Sequence, residues 1–182
     1  MQRMAGMASL GHLAVGLAAG RLHAGASGPR AASTILFVLL ATFPDADAMA
    51  RRLGAGPGSP WLHRGALHSL LVAALAGVAA AALLGGMGRS RLRLALAAAA
   101  AAASHGLLDA LTDGGSGVAL LWPWSSERFF AAVRPIPVAP IGLGVASRWG
   151  LHVLGWEAVA FAPLLLYGSW PGGRAARAVT PR

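Results

Sequence analysis

This chain of 182 residues contains no cysteine and no lysine, and only six acidic residues: Asp45, Asp47, Asp109, Asp113, Glu127 and Glu157. Without thiols there are no disulfides and no thiolate metal sites, so cysteine chemistry decides nothing about compartment. The scarcity of charge is more informative. Charged residues make up 12% of the chain and hydrophobic residues 56%, against about 25% charged in a typical soluble domain. That balance predicts a membrane protein. The net charge of +9 is carried entirely by arginine, and a pI near 11.9 invites a nucleic-acid partner. The arginines, however, are scattered at segment ends and in loops and form no basic face, which excludes that reading. Arginines flanking apolar segments instead suit membrane topology and anionic-lipid contact. The first apolar stretch is interrupted by His12, Arg21 and His23, which argues against a cleavable signal peptide and leaves a signal anchor open.

The pattern predicts an all-α, polytopic membrane bundle of four to five helices with an irregular outer lid. The helices are expected over Met4–Ala24, Ala31–Phe43, Gly65–Leu84, Leu92–Leu111 and Leu151–Trp170. The third and fourth are about 20 residues long, enough for a bilayer core of about 30 Å. The segment Ala31–Phe43 is short for a full crossing, the first could span or lie at the interface, and Pro163 is a candidate kink in the fifth. The alanine run Ala97–Ala103 favours helix and close helix packing. Residues 114–150 hold four prolines and several aromatics and read as the lid, with Trp122 and Trp124 as interface anchors. Residues 1–171 form one membrane-embedded domain, and 172–182 a polar tail. The arginine-rich link between the third and fourth helices (Arg89, Arg91, Arg93) is expected to be cytoplasmic, which puts the opposite end of the bundle outside. Arg51, Arg52, Arg64, Arg128, Arg134 and Arg148 fall at that opposite end and weigh against this orientation.

The chemistry gathers in a few words: His63-Arg64-Gly65-Ala66-Leu67-His68-Ser69, Ser104-His105-Gly106-Leu107-Leu108-Asp109, Phe43-Pro44-Asp45-Ala46-Asp47, and Gly11-His12. A short link makes the third and fourth helices antiparallel neighbours. Measured from that link, His68 lies about 24 Å up one helix, and His105 and Asp109 about 20 and 26 Å up the other. The second helix ends at Asp45 and the first brings His12 to a similar depth. Imidazoles and carboxylates without thiols suit Zn²⁺ first, with Mn²⁺ or Fe²⁺ as alternatives. More than four ligands allow a two-metal site, the arrangement suited to phosphoester hydrolysis. Expected core ligands are His68, His105, Asp109 and Asp45, with His12 and His63 at a second position. Asp47 is a candidate general base, and Arg64 and Arg128 are candidate phosphate forks. Each word also has a plainer reading: a hydrogen-bonded structural histidine, a surface His/Asp pair, an Asx turn. His23 and His152 stand apart and read as structural or interfacial. Glu157 is either an extra ligand or a buried acid paired to an arginine, and Asp113 a loop residue or a support to the ligands.

In this order the words, together with Leu121-Trp122-Pro123 and Arg128-Phe129, resemble the YdjM-like family across about residues 10–143. That family is described as inner-membrane-associated metal-dependent hydrolases, with a LexA-binding label attached. The resemblance implies a multi-pass protein of the bacterial inner membrane with a metal site at His12, Asp45, His63, His68, His105 and Asp109. A similarity to zinc-dependent phospholipase C enzymes is looser. Asp47 is followed by Ala48-Met49, where a His or another polar residue is expected in relatives. The reading from sequence is therefore a membrane-bound metal-dependent hydrolase of a phosphoester or lipid-linked substrate, with the bilayer as partner and no nucleic acid. The alternative is a non-enzymatic ion or proton pathway or a regulatory scaffold. LexA association rests on the family label alone.

Overall fold

A computed structural model describes residues 9–25, 30–84, 88–140 and 142–170. The start of the first expected helix (4–8), part of the arginine-rich link and the tail 172–182 lie outside the described residues. Six helices follow in order: α1 (Ser9–Ala24), α2 (Arg30–Thr42), α3 (Leu70–Leu84), α4 (Arg89–Ala110), α5 (Arg148–Ala160) and α6 (Ala162–Ser169). Tight 3-10 segments occupy Phe43–Met49, Ala66–His68 and Gly142–Ala146. Among the described residues β structure is limited to two isolated bridges, Thr112 with Ile136 and Val118 with Phe129.

The bundle is two antiparallel hairpins, α1–α2 and α3–α4, joined through α4, with α6 against α1. Small residues set the spacing. A Cβ on Gly16 would stand 2.6 Å from Val38 Cα, and one on Gly20 2.5 Å from Thr34 Cα. The Gly-x-x-x-Gly pair at 16 and 20 thus lets the α1 and α2 backbones touch, the close approach that membrane helices use in place of large side chains. Phe37, Leu94 and Ala101 fill the middle of the bundle. At the end away from the sequence words, Arg21 donates to the Tyr167 and Trp170 carbonyls, and Arg30 also donates to Trp170. These two arginines therefore satisfy the last carbonyls of α6, which no intrahelical donor reaches.

Two expectations are corrected. The third helix begins at Leu70 and not at Gly65, because the His63–Ser69 word folds as turns, so α3 has 15 residues. The fifth breaks at Phe161 into α5 and α6, bent by 70°, with Pro163 in the first turn of α6. Among the described residues, the continuous helical stretch Arg30–Met49 is long and apolar enough to cross a membrane by itself; counting the bent α5–α6 pair as one broken span makes two. The Ala31–Phe43 segment, expected to be too short, qualifies because its 3-10 extension carries it through Pro44. The third helix, at 15 residues, is shorter than a span, and the fourth carries Arg89, Arg91, Arg93 and Asp109.

The lid is irregular but firmly stitched. Val118 and Phe129 exchange both backbone hydrogen bonds, Ala131 N–H donates to the Ala110 carbonyl, Ile136 N–H to Leu111, and Leu70 N–H to Leu120. Asp113, at the turn after α4, accepts from Val138 N–H at 2.8 Å and so serves the lid. The lid lies over the ends of α3 and α4 where the sequence words converge.

Candidate metal centre

Four backbone elements deliver the site. His12 is in the first turn of α1. Asp45 and Asp47 come from the 3-10 continuation of α2, His63 to His68 from the turns before α3, and His105 and Asp109 from the last turns of α4. Gly106 permits the last two to meet: a Cβ there would stand 2.4 Å from the His68 carbonyl oxygen. The turn carrying His68 therefore lies directly on α4.

The distances describe one continuous cluster. His12 Nε2 is 3.6 Å from Asp109 Oδ1, and His68 Nε2 is 3.3 Å from Asp109 Oδ2. His105 Nε2 is 3.2 Å from Asp45 Oδ1, with His68 Nε2 3.9 Å from the same oxygen. The His12 and His105 rings stack with centroids 3.6 Å apart, and His68 sets its edge to His105 at 4.7 Å. Two groups bring their ligand atoms within 4.8 Å of one another: His12, His105 and Asp109, all buried, and Asp45, His63 and His68. All six expected metal ligands are brought together.

The outer contacts orient the rings. Asp47 is buried, with Oδ1 2.8 Å from His63 Nδ1 and Oδ2 3.0 Å from His68 Nδ1. His105 Nδ1 bonds the Ala41 carbonyl at 2.7 Å, and an imidazole facing a carbonyl must be the donor. For His68 and His105 the Nδ1 side faces these groups and the Nε2 side faces the cluster, the arrangement by which proteins present imidazole to a metal. The Nε2 atoms of His12, His63, His68 and His105, Asp45 Oδ1 and both Asp109 oxygens are buried and complete no hydrogen bond. Buried polar atoms are nearly always satisfied, so imidazole nitrogens and carboxylate oxygens converging in this number without completing a hydrogen bond fit a cation between them. Burial opposes a charge on His68, but the Asp109 and Asp47 carboxylates outweigh it and push its pKa up to about 9.

Both arginines, Arg64 and Arg128, bond to the backbone of the loops around the cluster. Arg64 is completely buried; its Nε lies 3.2 Å from Asp109 Oδ2, Nη1 donates to the Gly114 carbonyl and Nη2 to Thr112 Oγ1, both at 2.9 Å. Its backbone sits at φ 65°, a conformation that persists in a side-chain-bearing residue only where surroundings impose it. The constraint is visible: the Arg64 carbonyl accepts from Ala119 N–H at 3.0 Å and from Arg128 Nη1 at 2.7 Å. Arg128 therefore braces the loop that carries the ligands. His23 lies against Phe37 and His152 on Trp149, outside the cluster.

The sequence model of a family described as "YdjM inner membrane protein" matches residues 7–175. The chain belongs to this family. Inner membrane protein YbcI of Escherichia coli (strain K12) is 39% identical over 111 residues, covering 58% of this chain. The matched part is 62% of that relative, so the chain spans less than two thirds of its length. No solved structure matches. Family and relative are both named inner membrane proteins, and a membrane location for this YdjM-family chain follows.

One participant was not legible as such. Glu157 is buried on α5, and its Oε2 accepts the backbone N–H of Leu10 at 2.7 Å. Its partner is the start of α1, and no sequence motif announces a carboxylate that bonds to backbone from so far along the chain.

Proposed function

We propose that this protein is a multi-pass membrane metal-dependent hydrolase acting on a phosphoester carried by a lipid. The observation that carries the proposal is the set of buried imidazole nitrogens and carboxylate oxygens that face one another without completing a hydrogen bond. His12, His105 and Asp109 would hold one divalent ion, and Asp45, His63 and His68 a second, with Zn²⁺ the first choice for a donor set of nitrogen and oxygen. Bound there, divalent ions supply Lewis acidity and make water acidic enough to serve as a nucleophile near neutral pH.

The chain's own groups do the remaining work. Asp47 and the Ala41 carbonyl fix the tautomers and angles of three histidines. With both oxygens engaged on imidazoles, Asp47 fits an orienting role better than that of general base. Arg64 offsets the buried charge of Asp109 and fastens it to the lid. Substrate approaches from the Asp45–His63 side, because those side chains retain 12% and 13% exposure while the others are closed off. The loop between them exposes Arg51 and Arg52 beside Met49, Leu53 and Trp61. Two guanidiniums next to apolar side chains suit a phosphate attached to a lipid better than a soluble phosphoester.

The multi-pass reading is supported by large apolar side chains exposed all round the bundle: Ile35 and Leu39 on α2, Leu75 and Val78 on α3, Leu96 and Leu107 on α4. Such a girdle suits lipid. A proton pathway requires ionisable groups spaced through the membrane depth, and here they collect at one end. Metal analysis of the purified protein, with His68→Ala and Asp109→Ala alongside, tests the centre, and phosphate release from lipid phosphates in vesicles tests the reaction. Wild-type protein that neither contains nor binds a divalent metal refutes the proposal.

A further inference from the structure

Glu157 has no part in the ligand set, yet it is completely buried and bound to the helix that carries His12. The first N–H groups of any helix lack intrahelical acceptors. Glu157 supplies one for α1 through Leu10 N–H at 2.7 Å, two residues before His12. Its other oxygen, Oε1, is buried and completes no hydrogen bond. Phe161, one helical turn further on, lies on the same spot: a Cβ on Gly11 would stand 2.8 Å from its ring. Residues 157 and 161 share a helix face at this spacing, so the α5–α6 junction grips α1 by two adjacent contacts.

Charge gives this grip a further effect. The N-terminus of a helix carries about half a positive charge, and α1 points that end toward His12 and the cluster. A cation held by His12 would be repelled by it. A carboxylate on the terminal N–H groups offsets that repulsion. We propose that Glu157 is a positioning residue for the metal centre, fixing the α1 terminus that carries His12 and cancelling the positive helix end next to the ion. This rests on the metal-binding reading above.

The test uses the full-length protein in detergent, titrated with Co²⁺ and followed by visible absorption and calorimetry. Glu157→Ala is expected to weaken Co²⁺ binding by about tenfold or more, the range for losing a group that supports a ligand, and to shift the visible band. Glu157→Gln keeps an oxygen for Leu10 N–H but loses the charge, and weakens binding less. The deciding measurement is a double-mutant cycle: the Glu157 substitutions should add nothing in a His12→Ala background and act in full in a His63→Ala background. Equal effects in both backgrounds, or Glu157→Ala binding Co²⁺ as the wild type does, overturn the proposal while leaving the metal reading intact. Wild type that binds no Co²⁺ overturns both. If Glu157→Ala fails to fold, the cycle with Glu157→Gln decides.

Discussion

Asp47 is the position where two roles separate most cleanly, and Asp47→Asn is the perturbation that does so. The carboxylate faces an imidazole on each side: Oδ1 bonds His63 Nδ1 at 2.8 Å, and Oδ2 lies 3.0 Å from His68 Nδ1. An amide of the same shape has one accepting oxygen and one donating NH₂. One imidazole keeps its acceptor. The other meets a donor, must turn its Nδ1 lone pair toward it, and then carries its proton on Nε2, the atom that faces the cluster. Losing a supporting group of this kind costs about 10–100-fold in metal affinity, or about 1.4–2.7 kcal/mol. Asp47→Ala removes both supports and, if they act independently, costs about 10²–10⁴-fold. Zn²⁺ titration by calorimetry, with metal content per chain by elemental analysis, reads both values. A general base behaves differently: Asp47→Asn would then bind metal with wild-type affinity and stoichiometry while losing turnover. That result would refute the orienting role.

Other perturbations follow from the same geometry. Arg64→Met should destabilise the metal-free protein by about 3–5 kcal/mol, because it leaves the Asp109 carboxylate buried without its guanidinium; the metal-loaded protein should lose less, and thermal unfolding with and without Zn²⁺ measures the difference. Gly106→Ala puts a methyl group 2.4 Å from the His68 carbonyl, so α4 and the His68 turn must part; unfolding should show a loss of about 1–3 kcal/mol and Zn²⁺ titration a weaker site. Metal affinity should rise with pH, since each imidazole ligand must be neutral to bind and ordinary histidine titrates at about 6.5; equal affinities at pH 5.5 and 7.5 would contradict ligation by histidine.

The convergence of the four words was legible because helix rise and a short hairpin are enough to compare depths. His68, His105 and Asp109 do meet, joined by Asp45 and His12. The local form of His68 was not legible. The apolar residues after His63 suit a helix, yet the Arg64 and Gly65 backbone takes a turn that depends on the lid bonding to Arg64 and on the glycine gap at 106. Arg64 itself resembled a substrate contact because sequence cannot show burial. The bend at Phe161 was visible only as a proline, and the role of Glu157 depends on that bend aiming α5 at the start of α1. The Gly16–Gly20 pair was a local signal that the composition of the first segment obscured.

The bond between Glu157 and Leu10 also fixes an order of events. Every member of the cluster lies between His12 and Asp109, so the full set is synthesised before α5. Until α5 has been made and has swung back across the bundle end, Leu10 N–H lacks its Glu157 acceptor. The centre is complete in sequence early and complete in space only late. Biogenesis of this protein therefore ends, and does not begin, with the cluster in its finished geometry.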